Sequence, residues 1–398
     1  MKLSKRLSDM QASPVRKLNS YLDIAKSKGL KVYQLQIGQP DIETPKTFFE
    51  GLKNFDDAVL KYSNSQGVDE LINSFIAYYN GISMEFDKSQ ILITNGGSEA
   101  LYFAMMAICD VGDNIICPEP YYTNYNSFAD LAGINIIAFE TKAEEGFHLP
   151  LKNKITEKIN SRTRGILFSN PSNPTGVVYT KEELRLLCEI AVEHDLYIIS
   201  DEVYREFVYD DLKYFSPLYW NDMLDRIILI DSISKRYSAC GARIGLIASK
   251  NNELMKEVLK LCQSRLSAPT IEQYAAANLI NTPKDYFISV KEEYELRRNI
   301  LFEALLHIPG VICQKPSGAF YIVAKLPIED AEDFAKWLLT DFSYNNTTVM
   351  VAPASRFYAS EGLGKDEVRL AYCISEQSLI VAMDTFAKGL EEYKKTKK

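Results

Sequence analysis

Short apolar runs alternate with stretches of helical spacing along most of this chain. Arg226-Ile-Ile-Leu-Ile230 reads as a buried strand of a parallel sheet, apolar on both faces. Gln90-Ile-Leu-Ile-Thr94, Asp113-Asn-Ile-Ile-Cys117, Asn135-Ile-Ile-Ala-Phe139, Arg164-Gly-Ile-Leu-Phe168 and Leu196-Tyr-Ile-Ile-Ser200 repeat the pattern. Val32 to Ile37 alternates instead, as a half-buried strand does. Between them lie helices. Residues 13–28 place Val15, Leu18, Leu22, Ile24 and Ala25 at helical spacing, with Pro14 near the start and Gly29 at the end. An amphipathic helix is expected over Asp69–Tyr79, and the capping box Thr180-Lys-Glu-Glu183 opens another that runs to His194. Further helices are expected over Ile271–Ile280 and Asp285–Leu306. Ser317–Val323, Thr348–Val351 and Val368–Tyr372 read as strands of a smaller α/β lobe, on which the N-terminal helix should dock.

Length and composition narrow the picture. A chain of 398 residues exceeds what one hydrophobic core serves, so two domains are expected. A net charge of −8 argues against a nucleic-acid surface, and three histidines argue against a histidine metal site. Seven scattered cysteines without a C-x-x-C pair fit reduced thiols in a cytoplasm. No signal-type h-region opens the chain, and no run approaches the roughly 18 apolar residues of a membrane span.

Candidate chemistry gathers where strands end, as it does in open α/β sheets. After Ile230 comes Ser232-Ile-Ser234-Lys235, with Arg243 eight residues beyond the lysine. Hydroxyls and a guanidinium suit a phosphate, and a lysine desolvated beside cations can form a Schiff base with an aldehyde. Pyridoxal phosphate offers both groups; a solvated surface turn is the alternative. After Thr94, Gly96-Gly97-Ser98 opens a helix whose free amides favour an anion. A plain strand-to-helix turn with Ser98 as N-cap fits those residues equally. Tyr121 and Tyr122 follow the next strand and could stack on a flat ring. Asn170-Pro-Ser-Asn173-Pro is a stiff loop with amides held ready for a ligand. Asp201 is a costly carboxylate unless partnered, and a pyridinium nitrogen would partner it; Tyr204 follows at the same edge. Gly38 permits close approach of backbone to a ligand, although a simple strand-ending turn fits that segment better, and Tyr62 sits in a polar loop where it can reach an anion or be partly packed without a role.

Asn170-Pro-Ser-Asn173-Pro-Thr-Gly, Ser200-Asp201-Glu-Val-Tyr204 and Ser232-Ile-Ser-Lys235 with Arg243-Ile-Gly, in this order and spacing, resemble the class I aminotransferases. The resemblance runs from Gly38-Gln-Pro-Asp to Val368-Arg369-Leu and is closest to the bacterial aspartate-aminotransferase-like branch. It implies a fold-type I pyridoxal-phosphate transferase: a large domain (46–295) with a mostly parallel seven-stranded sheet between helices, and a small α/β domain (1–45 with 296–398). Lys235 would form the internal aldimine and carry the proton between Cα and the cofactor, with its pKa lowered toward neutrality for that task. Asp201 would pair with the pyridine nitrogen, and Tyr204 and Asn173 would donate to the ring oxygen. Gly97, Ser98, Ser232, Ser234 and Arg243 would cradle the phosphate. Tyr122 would stack on the ring, and Tyr62 would reach the phosphate of a partner subunit in a homodimer. Arg369 would fork onto the substrate α-carboxylate, with Gly38 and Asn173 beside it.

The implied reaction is ping-pong transfer of the amino group of an L-amino acid, aspartate or another acidic or aromatic donor, to a 2-oxo acid such as 2-oxoglutarate. Departures bear on the substrate. Ser98 stands where some bacterial aspartate enzymes carry a lysine, and the arginine brought across the interface in better-known aspartate enzymes has no counterpart near Cys262. Arg16 and Arg265 are nearby cations, each expected to be structural. A lyase or synthase on the same scaffold is the alternative activity. An amino-acid-sensing regulator is more distant, since a helix starting by about residue 14 leaves no room for a DNA-binding module before it.

Overall fold

The computed structural model describes residues 2–10 and 17–397. The apolar runs pair into one seven-stranded sheet of order β2-β8-β7-β6-β5-β3-β4. Its strands are β2 (Ile91–Thr94), β3 (Asn114–Glu119), β4 (Asn135–Glu140), β5 (Thr163–Ser169), β6 (Tyr197–Asp201), β7 (Ile227–Ser232) and β8 (Gly245–Ala248). Only β8 runs against the rest. Successive side chains point to opposite faces, so each apolar run feeds two cores at once. Ile166, Phe168, Ile198, Ile227 and Leu229 enter the core on one face. Leu167, Ile199, Ile228 and Ile230 enter the core on the other. Burial on both faces is why these strands read as unbroken apolar runs.

A third core belongs to the smaller sheets. Strand β1 (Lys31–Gln34) pairs in parallel with β10 (Thr347–Met350), and β9 (Tyr321–Lys325), β12 (Glu367–Ala371) and β11 (Ala352–Pro353) form an antiparallel set. The helix Asn19–Ser27 buries Leu22 and Ala25 in this core, together with the helices Ala331–Thr340 and Glu376–Thr396. The helix Lys284–Leu306 joins the two parts: Tyr286 and Phe287 pack on the large sheet's core, while Val290, Tyr294, Leu301 and Leu305 belong to the third. No helix among the described residues is long and apolar enough to cross a membrane.

Two expectations change, and a third falls outside the described residues. The start of the N-terminal helix, with Pro14, Val15 and Arg16, lies outside the described residues. The α-helix expected over Ile271–Ile280 spans Thr270–Ala277 and tightens into a 3₁₀ turn over Asn278–Asn281. The strand expected from Ser317 starts only at Tyr321. Ala319 takes a left-handed φ of 57°, and a Cβ on Gly318 would lie 2.6 Å from the Phe207 carbonyl, so this backbone is committed to a close crossing with the segment that follows β6.

Candidate active site

Five parallel strands deliver the candidate residues to one edge. Beyond β2 lie Gly96 to Ser98, beyond β3 Tyr122, beyond β5 Asn173, at the end of β6 Asp201, and at the end of β7 Ser232 to Lys235. They converge on a cavity of about 480 Å³ at the carboxyl ends of the strands. The same cavity is lined by Gly38, Tyr204, Arg243 and Arg369. Tyr62 is not among its residues: it is 80% exposed and borders a separate surface depression with Arg265.

The anion end is built from backbone and hydroxyls. The helix Gly96–Ile108 starts at the cavity with Asn95, not Ser98, in the N-cap position; Ser98 sits within the first turn and lines the cavity. Gly96 has a φ of 75°, and a Cβ there would lie 2.4 Å from Nη2 of Arg243. At Gly97 a Cβ would meet only ordinary contacts, so Gly96 is the glycine the geometry requires. Arg243, itself at a left-handed φ of 54°, donates to the carbonyls of Cys240 (3.0 Å) and Asn95 (3.3 Å). Ser232 Oγ lies 2.7 Å from Ser234 Oγ and accepts from the Ser234 amide at 3.1 Å.

At the opposite end Asp201 is buried, and among the described residues no lysine or arginine pairs with it. Its carboxylate accepts from the Tyr125 hydroxyl at 2.7 Å and more weakly from the Val203 amide at 3.4 Å. Burial pushes its pKa up to about 6, against the pull of those two hydrogen bonds. Between the two ends, Lys235 Nζ donates to the Gly38 carbonyl at 2.7 Å and lies 5.9 Å from the Tyr204 ring centre. Burial pushes this amine down, while the hydroxyls and thiols of Tyr321, Cys240, Cys373 and Tyr122 around it push it up, and the net direction is upward.

The small-domain wall carries Arg369 on β12. One guanidinium nitrogen donates to Asn173 Oδ1 at 3.1 Å and another to the Gln36 carbonyl, while its buried Nε has no partner among the described residues. Tyr321 and Phe357 lie with ring centres 4.5 and 4.9 Å from Cζ. Tyr321 also shares a 2.6 Å hydrogen bond with Tyr204, and a Cβ on Gly38 would fall 1.9 Å from its hydroxyl. Asn173 and Tyr204 are thus tied to the wall that carries Arg369 and Tyr321 as well as lining the cavity.

Sequence reasoning missed Tyr125, Tyr321, Gln36 and Cys240, whose Sγ is 4.0 Å from Lys235 Nζ. Tyr125 was within reach, because it lies only three residues beyond Tyr122, in the first turn of the helix Asn124–Ala132. The others carry no local signal. Arg265 donates to the carbonyls of Ile93 (3.1 Å) and Ser65 (3.4 Å) and pairs with Glu99 (3.6 Å). Arg16 lies outside the described residues.

The cavity fits pyridoxal phosphate by the chemistry of its two ends: donors suited to a phosphate, a raised buried carboxyl that a pyridinium proton would satisfy, and one lysine between them. With the seven-stranded sheet, this defines a fold-type I pyridoxal-phosphate enzyme. The profile of the family described as aminotransferase class I and II matches residues 31–386, and the chain belongs to that family. It is 33% identical to the aspartate aminotransferase of Bacillus subtilis over 99% of this chain and 100% of the relative. It is also 33% identical to a probable aspartate/prephenate aminotransferase of Aquifex aeolicus over 98% of this chain and 99% of the relative. The solved aspartate aminotransferase of Thermotoga maritima superposes with a TM-score of 0.89 at 30% identity, covering 98% of this chain and 100% of that one. The chain is a pyridoxal-phosphate-dependent aminotransferase acting on amino acids and 2-oxo acids.

Proposed function

We propose that this aminotransferase takes aspartate, or another acidic or aromatic L-amino acid, as donor and 2-oxoglutarate as acceptor, with ping-pong kinetics. The names of its relatives support an acidic donor. The observation that carries the site assignment is the convergence of Asp201, Lys235 and Arg369, a carboxyl, an amine and a guanidinium, on one cavity. Arg369 offers its fork, including the unpartnered Nε, to the substrate α-carboxylate. Lys235 stands between the carboxylate anchor and Asp201, where it takes the proton from the substrate Cα and returns it on the cofactor side. When bound, pyridoxal phosphate supplies the sink for the electrons left on Cα. Asp201 holds the ring nitrogen's proton, and Tyr204 and Asn173 donate toward the ring oxygen. Gly97, Ser98, Ser232, Ser234 and Arg243 hold the phosphate, while Tyr122 lies against the ring.

The exposed Tyr62 is assigned to the site of a second copy in a homodimer. The division into a large domain at 46–295 and a small domain from the remaining residues is part of the same reading. Seven free cysteines support a reducing, cytoplasmic setting. The test is Lys235→Ala: activity should fall by about 10⁴-fold or more, with loss of the visible absorbance of the lysine-linked cofactor. Retained turnover would overturn the assignment. A donor panel with 2-oxoglutarate, scored by the oxo acid formed, should rank acidic donors first, and release of ammonia without an acceptor would favour a lyase.

A further inference from the structure

Glu119 ends β3 in the large domain and is 1% exposed, yet no lysine or arginine pairs with it among the described residues. Its carboxylate instead grips a strap of the small domain. One oxygen accepts from the amides of Ala359 (2.7 Å) and Ser360 (3.0 Å), and the other accepts from the Ser360 hydroxyl. Two residues on, the Tyr121 amide donates to the Phe357 carbonyl at 2.9 Å. The strap in turn holds the wall that carries Arg369. The Phe357 ring lies against the Arg369 guanidinium, and the Tyr358 hydroxyl donates at 2.6 Å to Glu367, two residues before Arg369 on β12.

We propose that Glu119 is a positioning residue for substrate carboxylate binding: by clamping residues 357–360 to the end of β3, it fixes the ring that packs on Arg369. Charge-assisted hydrogen bonds from backbone amides are strong and directional, so the clamp sets the strap's position instead of following it. The glutamate touches neither substrate nor cofactor, and its effect passes through Phe357 and β12. This rests on reading Arg369 as the carboxylate anchor.

The test uses the cofactor-loaded enzyme with Glu119→Gln, Ser360→Ala, Arg369→Lys and the Glu119→Gln/Arg369→Lys double variant. The readouts are kinetics and calorimetric binding of 2-oxoglutarate to the aldehyde form, with which it does not react. In Glu119→Gln the charge is lost and the NH₂ group must face either the Ser360 hydroxyl or both backbone amides, which share one oxygen, so KM and Kd for 2-oxoglutarate should both rise about 10-fold. The kcat should stay within about 3-fold, because the interaction removed serves ground and transition states alike. Cofactor absorbance should not move. Ser360→Ala, which keeps the carboxylate and both amides, should shift both constants about 3-fold in the same direction. It decides the matter if the glutamine variant is poorly folded. In the double variant the two losses should fall short of multiplying, since both act on one guanidinium. An unchanged Kd in the Glu119 and Ser360 variants, or full multiplicativity with Arg369→Lys, overturns the clamp alone. An unchanged Kd in Arg369→Lys overturns the anchor reading and the clamp with it.

Discussion

Two buried aspartates end neighbouring strands of this sheet and live by opposite rules. Asp231, at the end of β7, is fully buried and accepts from the Tyr79 hydroxyl (2.7 Å) and the Ser232 amide (2.7 Å), with Arg236 in direct contact and Arg205 at 3.4 Å. Burial pushes its carboxyl up, but the two guanidinium groups outweigh that and hold it below the usual carboxylate range. Arg205 also grips Glu202 at 2.7 Å, so the network ties the residue after Asp201 to the residue before Ser232. Asp201 has no such cation, and burial leaves it high. The difference separates a charge spent on holding strand ends in register from a buried carboxyl that no cation among the described residues offsets. A buried carboxylate that the fold leaves uncompensated is costly, and such a cost marks a binding group.

The sharpest way to break the comparison is Asp231→Asn, which leaves two buried arginines short of a counter-charge. It should cost roughly 3–5 kcal/mol in denaturant unfolding at neutral pH. A loss below about 1 kcal/mol would put Asp231 in the same class as Asp201. Asp201→Asn should act the other way on the cofactor-free protein. The folded carboxyl near 6 binds a proton that the unfolded chain has released, so stability is lost as pH rises from about 4 to about 6. The asparagine variant escapes that loss and should gain on the parent across this window, by an amount on the order of 3 kcal/mol at pH 7. For Asp231 the sign reverses, because its folded pKa is depressed: its stabilisation is present above the unfolded value and disappears as pH falls below it.

Smaller effects sharpen the same contrast. Arg243→Ala removes a cation that the fold occupies only with two carbonyls, so protein stability should hardly change while pyridoxal phosphate binds about 10- to 100-fold more weakly. Equilibrium dialysis against the cofactor checks this. Tyr125→Phe removes the one short hydrogen bond to Asp201. The carboxyl should move further up, extending the pH-dependent loss of stability above pH 6 at a cost of about 1 kcal/mol.

The residues at the strand ends were legible in the sequence because each sits in a local pattern with chemical meaning. Gly96-Gly97 can only be a tight helix start, prolines stiffen the loop around Asn173, and Lys235 follows a buried run between hydroxyls. What could not be read is what crosses the chain. Tyr204 meets Tyr321 from 117 residues away, and Arg369 meets the Gln36 carbonyl from 333. Glu119 meets the Ser360 amide from 241, and nothing local to a glutamate at a strand end announces a strap in another domain. The same limit explains the false strand start at Ser317. Gly318 and Ala319 bend to pass Phe207, a contact set by tertiary packing against the local β preference.

The most direct test of the account is the titration of Asp201 itself, by carbon-13 NMR of carboxyl-labelled aspartate with Asp201→Asn identifying the signal. The account predicts a midpoint near 6 in the cofactor-free protein and a fall well below the ordinary aspartate range once pyridoxal phosphate is bound. A midpoint near 4 before loading, or one that cofactor binding leaves in place, would contradict it.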